Sequence, residues 1–194
     1  MHLKAFMGVL GIAVILAMPA AAQTKQGTYI SSDEVQAFLK RVEGSKVSDQ
    51  QVRAVNVGKT NVAIGVVYRG KLAAAAPQSV AEHDKVSEVY HIIDGTATLV
   101  TGADIVDLKP RPADDRAVRL LNGPGGNGAS IRNGVTYQLK AGDVVIIPAG
   151  VGHLFTRIDD HISYLMVRLD PERVAPLKDA AAARADLASG GKGN

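Results

Sequence analysis

From Ala54 to Asp170 the apolar residues recur too evenly, and turn residues interrupt them too often, for a helical domain. Val55 and Val57 flank Asn56, and in the following TNVAIGVVYRG run Val62, Ile64 and Val66 share one face of a strand. The stretches EVYHIIDGTATLVTG, VTYQLKAGDVVIIPAG and HLFTRIDDHISYLMVRLD continue the pattern. Turns are expected at Asp94-Gly95, Ala141-Gly142-Asp143 and Asp159-Asp160. Short strands at steady spacing predict a sandwich or barrel rather than alternating βα units. The expected class is all-β with helical trimmings.

Outside this core the chain changes character. Lys4 precedes the apolar AFMGVLGIAVILAM, then Pro19 and three alanines, the order of a secretory leader; residues 1–22 are therefore expected to be removed and the protein exported, periplasmic or secreted. The apolar core is shorter than the roughly 20 residues of a spanning helix and is broken by Pro19, so no membrane association is expected after cleavage. Residues 23–50 form an N-terminal helical extension. Ser31 with Glu34 three residues later, ahead of Val35, Phe38, Leu39 and Val42, predicts a capped amphipathic helix lying as a short lid. Residues 51–170 form the β-domain. Within it, residues at about 109–134 are rich in Gly, Pro, Asn and charge and are expected to be a flexible insertion loop or lid. Gly123, Gly125 and Gly128 fit G-x-G-x-x-G, but no strand leads in and no helix follows, which argues against a dinucleotide site. Residues 171–194 read as a tail with helix formers first and a flexible end.

The formal net charge is +3, from 22 basic and 19 acidic residues, and the leader carries one of the basic groups. So small and scattered an excess argues against a nucleic-acid partner. With no cysteine, no disulfide staples the fold, and stability is expected from core burial, with a metal as a further contributor.

Chemistry-bearing residues concentrate in AEHDKVSEVYHIIDG. Alternation puts Glu88 and Tyr90 on one face of a strand and Val89 and His91 on the other. An inward Glu88 needs a partner, because an isolated buried carboxylate is very costly. His83, upstream of a bend, is a candidate, and His153, after the Pro148-Ala149-Gly150 return, is another. Two imidazoles and one carboxylate suit a divalent transition metal such as Fe, Mn, Zn, Ni or Cu. By the same alternation His91 faces away and is structural, and His161 beside Asp159-Asp160 is a solvated turn residue.

These segments resemble the two motifs of the cupin superfamily. His83-x4-Glu88-x6-Gly95 matches the second half of the first motif, roughly G-x5-H-x-H-x3-4-E-x6-G. Gly142-x5-Pro148-x-Gly150-x2-His153 matches the second, roughly G-x5-P-x-G-x2-H-x3-N, through its histidine. The resemblance implies a double-stranded β-helix, the jelly-roll cupin barrel, with one divalent metal held by His83, Glu88 and His153. Three departures accompany it: Ala81 replaces the first histidine, Ala75 the leading glycine and Arg157 the closing asparagine. Three protein ligands would leave open positions for water, oxygen or substrate.

Within that cavity Tyr90 is a candidate acid or base or an ordinary core tyrosine. Arg157, expected on the face of His153 and Phe155, is a candidate anchor for a carboxylate-bearing substrate, with pairing to Asp159 or Asp160 as the alternative. Three functions are compatible: a mononuclear metal-dependent enzyme of dioxygenase, lyase or isomerase type acting on a small molecule; a non-catalytic cupin binding a small ligand or metal; and a structural homodimer paired through sheet edges.

Overall fold

The β-branched runs pair as antiparallel strands throughout. A computed structural model describes residues 25–43 and 48–190; the leader-like stretch 1–22 lies outside them. Along the chain come α1 (Ser32–Glu43), β1 (Asp49–Asn56), β2 (Asn61–Leu72), β3 (Val80–His83), β4 (Ser87–Gly102), β5 (Asp104–Val106) and β6 (Lys109–Pro110). A single π turn (Val118–Asn122) follows, then β7 (Gly125–Gly128), β8 (Ser130–Arg132), β9 (Val135–Lys140), β10 (Val144–Ile147), β11 (Gly152–Asp170) and α2 (Ala180–Ala188). No helix among the described residues is long and apolar enough to cross a membrane.

Two long strands organise the jelly roll. The first half of β4 and the second half of β11 lie in one sheet with β1, β2 and β10; their other halves lie in a second sheet with β3, β6, β7 and β9. The hydrogen-bonded order is open, so the two sheets face each other without closing into a complete ring. Asp94-Gly95 and Asp159-Asp160, expected as turns, are instead the bends at which β4 and β11 pass between sheets. The reason is steric. Gly95 has φ +83°, and a Cβ there would lie 2.0 Å from the His161 carbonyl oxygen, so only glycine lets the strands cross this closely. The extra residues of β11 shift its register between Arg157 and Ile162.

A correction concerns residues 109–134. β7 pairs with β3, β6 with β7, and β8 with β5, so both ends of the segment are woven into the sheets and only residues 111–124, with the π turn, run as a connection between them. Its glycines are what permit this. A Cβ at Gly125 would stand 2.3 Å from the Glu82 carbonyl oxygen, and one at Gly128 2.2 Å from the Ile105 side chain.

Side chains from both sheets fill the interior, with Ile92, Leu99, Ile162, Tyr164 and Met166 all buried. A second apolar layer covers the outer face of β1 and β2. There α1 buries Phe38, Leu39 and Val42 against Val52 and Val66, and Ala183 of α2 joins them. Ser31 caps α1, its hydroxyl accepting from the Glu34 amide at 3.2 Å, while the Glu34 carboxylate turns aside to Arg53 at 2.6 Å. Asp179 caps α2, and Lys178 and Arg41 both pair with Asp186, which ties the tail to α1. Burying a side chain such as Phe38 contributes about 1.5–3 kcal/mol, so this layer holds the helices by packing more than by propensity.

Candidate metal centre

The centre is assembled where β3, β4 and β11 meet. On β4, alternation sends Glu88 and Tyr90 inward, both 2% exposed, and leaves His91 exposed on the outer face. His83 ends β3. The Pro148-Ala149-Gly150 return is pinned beneath it, the Gly150 amide donating to the His83 carbonyl at 2.9 Å and the Ala149 amide to the Ser87 hydroxyl at 3.1 Å. Gly150 takes φ +78° to make that turn, and His153 follows on β11 directly opposite Ala81.

The three sequence candidates therefore converge. One ligand atom from each of His83, Glu88 and His153 lies within 4.8 Å of the others, and all three residues are buried. His83 Nε2 stands 3.4 Å from Glu88 Oε1, and His153 Nε2 stands 3.7 Å from Oε2. Both separations exceed the usual N–H···O distance, so the imidazoles and the carboxylate approach a common point without satisfying one another.

Glu88 finds its hydrogen bonds elsewhere. The Tyr90 hydroxyl donates to Oε2 at 2.8 Å and the Asn122 amide to Oε1 at 2.6 Å. Arg168, on the inward face of β11 and 1% exposed, lies 3.4 Å from Oε1 and also pairs with Asp49. Burial alone would raise the Glu88 carboxyl, but His83, His153, Arg168 and the Tyr90 hydroxyl outweigh it and hold it at about 2. Burial pushes His83 down to about 3 against the pull of Glu88, and lowers His153 for the same reason. Arg168, a permanent cation beside Oε1, adds to that hold on Glu88. Burial also raises the Tyr90 phenol well above its ordinary value, so it stays protonated and acts as a donor to Glu88.

This donor set fits a divalent ion: two neutral imidazoles and one carboxylate with lone pairs to spare. The two imidazoles differ in what stands behind them. His153 Nδ1 lies 3.4 Å from the Val151 carbonyl, which favours a proton there and a free lone pair at Nε2. His83 Nδ1 lies 3.5 Å from Arg111 Nη1, itself a donor. A metal on His83 Nε2 requires the proton at Nδ1 and Arg111 turned aside.

Beside His153 a cavity of about 570 Å³ opens, lined by Arg69, Phe155, Ile158, Leu72 and Ala81 among others. Ala75 and Ala81 both line it, and at Ala81 the exchange of an imidazole for a methyl group widens the approach to the centre. Glu43, the last residue of α1, reaches its rim, but the helix itself packs on the outer face of the sheet rather than over the mouth.

Arg157 is a correction. A register shift between Phe155 and Arg157 turns it outward; its side chain is 68% exposed and pairs with Asp159 at 2.6 Å. It does not reach the cavity and cannot anchor a substrate there. His161 bonds Asp160 and Asp94 at the bend and stacks on Tyr68, apart from the centre. Arg168 and Arg69 were missed. Alternation could have found both, since Arg168 continues the inward set Tyr164 and Met166, and Arg69 follows Val67. Asn122 has no such signal, because the π turn that delivers it depends on the glycine-rich segment around it.

Residues 125–186 match the family model described as the AraC-like ligand binding domain, a stretch that includes the second-motif turn and His153 and is well under half of the chain. Together with the two motif-bearing turns meeting at one centre, this agrees with a jelly-roll fold of the cupin type. Among solved structures it is similar to a Bacillus halodurans protein (11% identity, TM-score 0.43, covering 84% of this chain and 98% of that one). It is also similar to the DMSP lyase DddQ from Ruegeria pomeroyi (18%, TM-score 0.39, 80% and 58%) and to a cupin protein from Bacteroides fragilis (16%, TM-score 0.36, 69% and 87%). The chain thus spans little more than half the length of that lyase, and at TM-scores below 0.5 none of these likenesses bears on function. No curated protein matches the sequence.

Proposed function

We propose that the protein is an exported cupin that holds one divalent transition metal through His83, Glu88 and His153 and acts on a small organic molecule admitted through the adjoining cavity. The observation that carries this reading is the convergence of three buried ligand atoms that do not satisfy one another. Export rests on the leader-like composition of residues 1–22. A bound divalent ion would supply Lewis acidity toward an oxygen donor of the substrate. The chain's own residues do the rest. Tyr90 and Asn122 hold the Glu88 carboxylate in place, Arg168 helps to keep it charged, and Ala81 leaves room beside His153 for the ligand.

A second reading, a binding cupin without turnover, is favoured by one feature: both Glu88 oxygens already accept hydrogen bonds and face a buried guanidinium, so the centre is electrostatically complete before any ion arrives.

Titration of the metal-free protein with Fe(II), Mn(II), Zn(II), Ni(II) and Cu(II) tests the first reading. One ion per chain is expected for at least one of them, lost in His153→Ala and retained in His91→Ala. No stoichiometric binding, or equal loss in both variants, would overturn it.

A further inference from the structure

Arg69 occupies a position that nothing in the metal-centre chemistry requires. Its strand places it inward: Val67, two residues earlier, belongs to the interior core, and Arg69 lies opposite the buried Ile162 of β11. Yet Arg69 lines the open cavity beside His153 and is solvent-exposed there. An inward guanidinium at the mouth of an apolar pocket, with no carboxylate paired to it among the described residues, calls for a ligand.

Its own contacts leave it ready for one. Nε donates to the Tyr164 hydroxyl at 3.3 Å, and the guanidinium carbon sits 5.1 Å from the Phe155 ring centroid. Stacking uses the face of the guanidinium and Tyr164 uses one edge; the two terminal nitrogens make no hydrogen bond to any described residue. Those nitrogens form the fork that recognises a planar anion through paired bonds. The charge around the pocket agrees in sign, with Arg69 and Lys71 outnumbering the single acid, Glu43 at the rim. The walls are otherwise apolar, from Phe155, Ile158, Leu72 and Ala75. His153 and Ala81, paired on neighbouring strands, line the same cavity, and the small residue at 81 opens it toward the centre.

We propose that Arg69 is the specificity-determining anchor for a small carboxylate with an apolar body, gripping its carboxylate at the cavity mouth while the body lies along Phe155 and Ile158 toward His153. This rests on the cavity being the ligand entrance of the proposed centre, and gives Arg69 the role that Arg157 cannot fill.

Benzoate and its neutral counterpart benzamide serve as probes, with binding followed by calorimetry and by the fluorescence of the tyrosines, the chain having no tryptophan. Metal content is measured on the same samples. Benzoate should bind at least about tenfold more tightly than benzamide, and Arg69→Gln should remove that preference. Arg69→Lys, which keeps the charge but not the fork, should retain part of it, and a circular-dichroism melt confirms that each variant is folded. Metal content should be unchanged in both variants. Equal affinity for benzoate and benzamide, benzoate bound normally by Arg69→Gln, or no benzoate binding at all would each overturn the proposal. A wild-type protein that takes up no metal but still shows the Arg69-dependent preference would sink the metal reading and leave this one standing.

Discussion

Arg157 and Arg168 lie on the same strand and share a side-chain chemistry, yet they live in opposite regions of the molecule. Arg157 sits at the bend of β11, exposed and paired with the neighbouring Asp159; Arg168 is 1% exposed between Asp49 and Glu88. The bend is a place where charges meet in water, as also do Asp94, Asp160 and His161. The deep end is a place where every charge needs a partner, because water cannot supply one. What separates them is the register shift between Phe155 and Ile162, which reverses which residues of β11 face inward.

The largest effect should come from breaking the deep end. Arg168→Met leaves Glu88 and Asp49 without their buried cation and should cost about 3–5 kcal/mol in a denaturant melt. A loss below about 1 kcal/mol would mean that Arg168 is a spectator.

Acidification should sharpen the contrast next. His83 titrates at about 3 in the fold against about 6.5 when unfolded, so the unfolded chain binds more protons between these values. Its contribution is complete above pH ~6.5 and lost as pH falls toward 3, with Glu88 adding to the loss below its unfolded value of about 4.3. Glu82, buried on the other face of β3 and raised to about 7 by burial and by Asp84, runs the other way and costs stability as pH rises from ~4.3 to 7. Thermal melts from pH 3 to 8 should show a steeper acid limb in Glu82→Gln and a shallower one in His83→Gln. The reverse ordering would contradict these assignments.

Smaller again is the gain from restoring an imidazole at the cavity wall. Ala81 is paired with His153 and lines the cavity, so Ala81→His should tighten metal binding about tenfold in an equilibrium titration. It should also narrow the pocket and weaken benzoate binding. Unchanged metal affinity would mean the new imidazole cannot reach the centre. The smallest effect belongs to the bend, where Arg157→Ala should change stability by no more than about 0.5 kcal/mol and leave metal and ligand binding as they were.

The same contrast explains what could be read in the sequence. Period-two alternation made the all-β class and the inward Glu88 legible, because strand parity is a local property, while the set with His83 and His153 came from the motif resemblance. Alternation placed His91 outside and Tyr90 inside for the same reason. Parity fails at a bulge, and Arg157 stands just past one. Asp94-Gly95 reads as a turn because a glycine with positive φ serves a turn and a strand crossing equally well. Residues 109–134 looked like a loop because their glycines are required by close backbone approach, a condition set by distant strands. Asn122, which completes the Glu88 hydrogen bonds, was hidden with them.

Elemental analysis of the protein purified without added metal, beside a Glu88→Gln variant, tests the centre most directly. A near-stoichiometric transition metal in the wild type, absent from a folded Glu88→Gln, is the expected result, and its identity would narrow the chemistry. A folded wild type that holds no metal even after reconstitution would contradict the metal reading and favour a metal-free ligand-binding role instead.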